Sequence, residues 1–95
     1  MPYIDPNRRQ AFDSAAVELG ACINTAGELN YALSKIVHTY LERRQRSYEH
    51  YNTVIGVLDC AKLELYRQLV SPYEDDKKRM NGPVSTLDHT FGSHA

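Results

Sequence analysis

The sequence contains no tryptophan, and it has only two cysteines and five glycines among its 95 residues. Cys22 and Cys60 match no metal-ligand or redox spacing, so we expect reduced core thiols in a cytoplasmic protein rather than a disulfide. The glycines are scattered, which excludes a phosphate-cradling glycine-rich loop. No segment alternates apolar and polar residues with period two, so the sequence predicts no strand.

An excess of one charge and a long apolar run are also missing. The chain has 11 basic and 12 acidic residues, whereas a general nucleic-acid or membrane-surface binder needs an excess of lysine and arginine. No apolar run approaches the ~20 residues of a membrane span. The first nine residues lack the apolar core of a secretory signal. We therefore expect neither membrane attachment nor general nucleic-acid binding.

Short polar residues in front of helical patterns mark four helix starts. Such residues cap a helix, and a proline at the first position or a glutamate three residues on strengthens the signal. In the second start we expect Glu28 to reach back to the backbone of Thr25. The predicted starts are Asp5-Pro6, Thr25 with Glu28, Ser47, and Ser71-Pro72 with Glu74.

These signals predict an all-α fold of three long helices and a short C-terminal helix in an antiparallel bundle. Asn81-Gly82 is the predicted end of the last helix. We expect a helical domain over residues 1–82 and a mobile tail over residues 83–95. A domain this small buries too little surface to be very stable alone, so we also expect a homo-oligomer.

Polar residues interrupt apolar helical faces at four positions. Asn52, Asp59 and Lys62 fall within the wide apolar arc of the third helix, and Asn30 falls within that of the second. A buried polar group without a partner costs on the order of 1–3 kcal/mol. Such residues therefore need polar companions. The companions are either a structural network, with Asp59 paired to Lys62, or a ligand bound between helices or subunits.

Catalytic patterns are not found. Cys60 has no histidine at a local spacing, and His38 and His50 join no metal-ligand pattern. Glu28, Asp59 and Glu64 are dispersed, unlike the paired carboxylates that hold magnesium in helical nucleotide hydrolases. We predict no catalytic residue, no metal site, no cofactor and no enzymatic activity.

Seven tyrosines in so short a chain offer stacking surfaces with polar tips. Arginine and lysine meet phosphates, and asparagine reads base edges or ribose. Tyrosine, arginine or lysine, and asparagine together are typical of a nucleotide-like ligand, although ordinary packing explains most of these tyrosines one by one.

The segments "MPYIDPNRRQAFD", "GELNYAL" and "VIGVLDCAKLELYRQLVSPYEDDK" together resemble a family of short bacterial and phage proteins with a domain of unknown function. The resemblance covers about residues 1–82. This chain has Asp59 where the family has glutamate, and its sequence after Gly82 departs from the family's short ending. The phage association implies a sponge: an oligomer that sequesters a nucleotide signal of bacterial immunity without cleaving it.

Three hypotheses follow. The first is a helical homo-oligomer in the host cytoplasm that binds a phosphate-bearing nucleotide, such as a cyclic immune signal, between helices or subunits. It sequesters the nucleotide and so counteracts host defence. The second is a protein-interaction module that docks a host or phage partner. The third is a magnesium-dependent nucleotide hydrolase. For the first hypothesis the predicted ligand-binding residues are Arg8, Asn30, Asn52, Asp59, Lys62, Tyr66 and Arg67.

Overall fold

The computed structural model describes residues 2–89, and all regular secondary structure in that range is helical. The predicted all-α class is confirmed. The chain divides into two compact units, Met1–Cys60 and Ala61–Ala95. The helices are α1 (Pro6–Cys22), α2 (Ala26–Glu42), α3 (Tyr48–Leu65), a π-helical segment (Tyr66–Val70), α4 (Ser71–Asn81) and α5 (Thr86–His89).

Three predicted helix caps are present in the first unit. Asp5 accepts a hydrogen bond from the backbone N–H of Asn7 at 2.8 Å, with Pro6 in the first turn of α1. The Thr25 hydroxyl accepts from the N–H of Glu28 at 3.0 Å, and the Ser47 hydroxyl accepts from the N–H of His50 at 3.1 Å. Each cap satisfies one of the backbone donors that a helix start leaves unpaired.

The return contact of the α2 cap differs from the prediction. The Glu28 carboxylate accepts from the backbone N–H of Asn24, at 2.8 Å, and not from that of Thr25. The glutamate therefore holds the residue before the cap, and it fixes the turn between α1 and α2.

The fourth helix begins at Ser71, in agreement with the predicted start, but the predicted cap at Ser71 is wrong. Ser71 has helical backbone angles (φ −59°, ψ −48°), and its N–H donates to the carbonyl of Tyr66 in a π-helical turn. Pro72 lacks an N–H, and its ring would clash with the carbonyl four residues before it. A π turn widens the helix at that point. The proline is therefore absorbed within a helix that runs through Tyr66–Val70 into α4.

The predicted stop at Asn81-Gly82 is confirmed. Gly82 has φ 88°, a left-handed value that suits glycine, and its N–H donates to the carbonyl of Lys78 at 2.8 Å.

A hydrogen bond ties α5 to α4 within the second unit, and two others close the turn before α5. The Asp88 carboxylate accepts from the N–H groups of Val84 and Ser85, at 3.0 and 3.1 Å, and Lys78 Nζ donates to the Asp88 carbonyl at 2.6 Å. The hydrogen bonds from Ser85 and Val84 hold the pKa of Asp88 below its ordinary value. Of the predicted tail, 83–95, the last six residues lie outside the described part of the chain.

The first unit has little interior. Val54, at 8% exposure, is the one buried residue among those described. The α2 stripe that the sequence predicts to pack inward is about half exposed: Leu29 and Leu33 at 48%, Ile36 at 55% and Tyr40 at 39%. No helix in residues 2–89 combines the length and apolar character needed to cross a bilayer.

The cysteines are free, as expected, but both are exposed rather than in a core. The Cys22 thiol donates to the Leu19 carbonyl at 3.2 Å, within α1. The expectation of core thiols fails because the helices that carry them bury almost nothing.

Candidate binding groove on α2 and α3

The first unit contains a groove of about 410 Å³ along the N-terminal two-thirds of α2, closed on one side by Leu58 of α3. Its apolar wall is formed mostly by Leu29, Leu33 and Val37. Mixed apolar walls with a few polar groups are typical of small-molecule sites. The lining residues are Ala26, Leu29, Asn30, Leu33, Ser34, Val37, His38 and Leu58.

One edge of the groove is polar. Asn30, Ser34 and His38 are four residues apart, so they lie on the same side of α2. The Ser34 hydroxyl donates to the Asn30 side-chain oxygen at 3.3 Å. Asn30, Ser34 and His38 thus line the groove as polar residues beside an apolar wall. This polar edge explains why an amide interrupts the apolar face of α2.

A second cavity, of about 430 Å³, lies at the turn between α2 and α3. His38 borders both cavities, so the polar edge of the groove leads into the turn. The turn cavity carries two guanidinium groups and an aromatic ring, which are suited to phosphate and ring recognition. Its lining residues are His38, Leu41, Glu42, Arg44, Gln45, Arg46 and Tyr51.

The two arginines of the turn cavity differ in how they are held. The Arg44 guanidinium lies 3.5 Å from the centroid of the Tyr40 ring and donates to the Tyr40 carbonyl at 2.7 Å. Arg46 is exposed at the cavity wall. Arg44 is therefore held against the last turn of α2, whereas the Arg46 side chain is exposed and can bind an anion.

His50 sits beside the same turn but belongs to the scaffold. Its Nδ1 lies 2.6 Å from the Gln45 carbonyl, and its backbone N–H is bonded to Ser47. These contacts close the turn that presents Gln45 and Arg46.

The seven predicted ligand-binding residues do not form one described cluster. All seven are exposed, and Asn30 is the one that lines the groove. The others are distributed over three helical elements of the chain. Arg8 is on α1, Asn52 and Asp59 are on the first unit's part of α3, and Lys62, Tyr66 and Arg67 belong to the second unit.

Two of the seven, Arg8 and Arg67, already contact neighbouring side chains. The Arg8 guanidinium lies 5.0 Å from the centroid of the Phe12 ring, and Arg67 forms an ion pair with Glu64. The ion pairs among the described residues are Glu64–Arg67 and Asp76–Arg79, so the alternative Asp59–Lys62 pair is not one of them. A polar side chain needs a companion only where it is buried, and these side chains are exposed in the single chain.

Sequence reasoning missed His38, Arg46 and Tyr51. His38 was taken as a histidine outside any metal-ligand pattern, and Arg46 and Tyr51 were not among the predicted ligand-binding residues. The available signal was the four-residue spacing of Asn30, Ser34 and His38, followed by three arginines within residues 43–46.

The groove has the properties of a binding site. No group of three or more His, Cys, Asp or Glu side chains in the described residues is placed to hold a metal ion. What α2 and the turn present together is an apolar wall, an amide, a hydroxyl, an imidazole and a guanidinium. Fold and groove define a small all-α protein with an open groove that is apolar on one side and polar along its edge, next to a turn cavity lined by two arginines.

The chain belongs to the family described as Domain of unknown function (DUF6899), which it matches over residues 1–84. No curated protein shows significant similarity to it. No solved structure does either.

Proposed function

We propose that this protein binds a phosphate-bearing nucleotide in the α2–α3 groove and holds it without cleaving it. The observation that carries the proposal is the polar edge of Asn30, Ser34 and His38, which runs from an apolar wall to the arginines of the turn. The parts of a nucleotide follow in the matching order: a flat base that suits the apolar wall, a polar ribose that suits the polar edge, and a phosphate that suits the arginines.

In this proposal, each part of the ligand meets the part of the groove that suits its chemistry. Its base packs against Leu29, Leu33 and Leu58 and takes hydrogen bonds from the Asn30 amide. Its ribose meets Ser34 and His38. Its phosphate pairs with the Arg46 guanidinium, which forms charge-assisted hydrogen bonds with phosphate oxygens.

The biological role follows from the resemblance to phage proteins. A chain that retains a nucleotide signal of bacterial immunity lowers its free concentration, and so it counteracts host defence in the host cytoplasm. Such a sponge works as an abundant homo-oligomer, and we propose that the antiparallel helical bundle is completed when copies of the chain associate.

Isothermal titration of the full chain against cyclic nucleotides and cyclic ADP-ribose isomers tests the proposal. At least one compound should bind, and chromatography of the bound fraction should return it intact. No heat from any compound, or recovery of a cleaved product, would overturn the proposal.

Two pairs of variants locate the site. Ser34→Leu fills the polar edge and should weaken binding by ~10-fold or more, whereas Ser14→Leu on α1 should not. Arg46→Ala removes the phosphate partner and should cost a similar factor, since a hydrogen bond to a charged group contributes about 1.5–3 kcal/mol. Arg43→Ala is its control, because Arg43 does not line the turn cavity. An equal loss of nucleotide affinity in a variant and its control would show that the site lies elsewhere.

A protein-interaction module is the second candidate, and the half-exposed stripe of α2 favours it. Large contiguous apolar patches on small proteins usually mark interfaces. Capture of a stoichiometric protein partner by the full chain, in the absence of any bound small molecule, would favour this function over nucleotide binding.

A further inference from the structure

The strongest unexplained feature of the first unit is its exposed apolar surface. Fifteen large apolar side chains between Tyr3 and Leu58 are at least 38% exposed, whereas Val54 is buried. At on the order of 60–100 Å² for each half-exposed side chain, they leave roughly 1,000 Å² of apolar area in water. A stable protein–protein interface takes about 800 Å² from each partner. Spread over its three helices, the first unit therefore exposes more apolar area than one partner contributes to such an interface, and α2 supplies part of it.

The part of this surface that is organised best is the α2 face, by which we mean Leu29, Leu33, Ile36 and Tyr40. Their spacings of four, three and four residues form the narrow seam by which two helices pack in a coiled coil. Each is between 39% and 55% exposed.

We infer that the α2 face is covered by a second copy of this chain, with the two α2 helices antiparallel about a twofold axis. The inference rests on the homo-oligomer of the proposed function and names its interface. The spacings of the face, four, three and four residues, are symmetric about its centre. An antiparallel copy therefore places Tyr40 of the partner subunit opposite Leu29. It places Ile36 of the partner subunit opposite Leu33. Antiparallel packing also opposes the two helix dipoles favourably.

A second copy on this face also completes the groove. Leu29 and Leu33 belong both to the α2 face and to the apolar wall of the groove. The open side of the groove beside those two leucines would gain a wall from the partner subunit. The dimer and the ligand site are therefore coupled through two shared side chains.

The mass of the purified full chain without ligand is the first test, measured by sedimentation velocity or light scattering. The chain should be a dimer, and Leu29→Gln with Ile36→Gln should weaken that dimer at least ~100-fold, since two large apolar side chains per copy are lost from the interface. Val17→Gln, on α1 at 71% exposure, is the matched control and should leave the mass unchanged. A monomer at all concentrations, or equal loss in both variants, would overturn the inference.

Cross-linking tests the antiparallel register in folded protein. On a Cys22→Ser, Cys60→Ser background, a cysteine is introduced at Ile36 or at Leu29. In the antiparallel pairing Ile36 lies opposite position 33 of the partner, so the two copies of residue 36 are offset by three residues, or ~4.5 Å, along the helix axis. Leu29 lies opposite position 40, so its two copies are offset by eleven residues, or ~16 Å. A short bis-maleimide linker should join Ile36→Cys dimers and leave Leu29→Cys chains single. Equal cross-linking at both positions contradicts an antiparallel pair.

The outcomes separate this inference from nucleotide binding. The mass is measured without ligand, so a monomer that still binds a nucleotide would refute the α2 interface alone. A dimer that binds no nucleotide would refute the proposed ligand alone. If both hold, the Leu29→Gln, Ile36→Gln variant should lose nucleotide affinity together with the dimer, and Ser34→Leu should lose nucleotide affinity while its mass stays that of a dimer.

Discussion

The two units are held together in different ways. In the first unit the hydrogen bonds beyond the helices are mainly caps and turns, and the apolar side chains are largely exposed around one buried valine. In the second unit a short return segment is fixed to α4 by polar contacts of Lys78 and Asp88. The contrast teaches that local polar contacts shape the second unit, which has no buried residue among those described, whereas the first unit is organised around Val54. Both units leave large apolar side chains exposed. Substitutions should therefore act differently in the two units.

Removal of the buried side chain should have the largest effect. Val54→Ala deletes two methyl groups from the one buried position described in the first unit, and we expect the free energy of unfolding to fall by about 2 kcal/mol. Met80→Ala in α4, where Met80 is 74% exposed, should change it by less than ~0.5 kcal/mol. Urea unfolding followed by circular dichroism measures both, and similar losses would contradict the contrast.

The glycines Gly56 and Gly82 should respond with opposite signs. Gly82 has φ 88°, a value that strains any other residue, so Gly82→Ala should cost ~1–2 kcal/mol. Gly56 lies in α3 with no atom within 4 Å of an added Cβ, so Gly56→Ala should stabilise the helix by ~1 kcal/mol. Thermal unfolding of the two variants shows whether each substitution raises or lowers the stability of the parent chain. A loss at Gly56 would mean that another backbone approaches α3 there.

Two hydroxyl residues should differ because only one of them caps a helix. Thr25 accepts a hydrogen bond from the N–H of Glu28, and Thr25→Ala should cost ~1 kcal/mol. Ser71 lies inside a continuous helix without a capping contact, so Ser71→Ala should be neutral or slightly stabilising. Unfolding at equal protein concentration compares the free energies of the two variants. A loss of stability in Ser71→Ala would indicate that Ser71 caps a helix start.

The smallest effect should be the pH response of the second unit. The pKa of Asp88 is lowered in the folded chain by hydrogen bonds from Ser85 and Val84. Its contribution to stability is therefore present above the ordinary aspartate pKa of about 4 and is lost as the pH falls through the lower folded value. The protection factors of the Val84 and Ser85 amides, which compare measured exchange with the intrinsic rate at the same pH, should fall below about pH 4, and Asp88→Asn should remove that dependence. Protection factors in the parent chain that do not change with pH would contradict the assignment.

Local signals were sufficient for most of the fold. The caps at Asp5, Thr25 and Ser47, and the stop at Gly82, depend on residues within one helical turn, so the sequence alone predicts them. The π segment was missed because Ser71-Pro72 has the pattern of a start, while the continuing helix accommodates the proline by widening. The second contact of the α2 cap was misplaced by one residue for a similar reason, since Asn24 and Thr25 both offer an N–H within reach of Glu28.

The site was harder to predict. Asn30 was identified because it interrupts an apolar stripe, and the structure places it on the groove. His38, Arg46 and Tyr51 come together only where α2 turns into α3, and a helical projection of one segment cannot show that proximity. Asn52, Asp59 and Lys62 were inferred from an apolar arc that was expected to be buried, yet these residues are exposed in the single chain.

Thermal unfolding across protein concentrations is the most direct test of the claim that the first unit needs a second copy. Circular dichroism at 222 nm follows helix content, and a chain whose apolar face is covered by a partner becomes more stable as its concentration rises. We predict that the melting temperature of the full chain increases steadily over a ~100-fold range of concentration. A melting temperature that stays constant over that range, with full helix content at the lowest concentration, would contradict the claim.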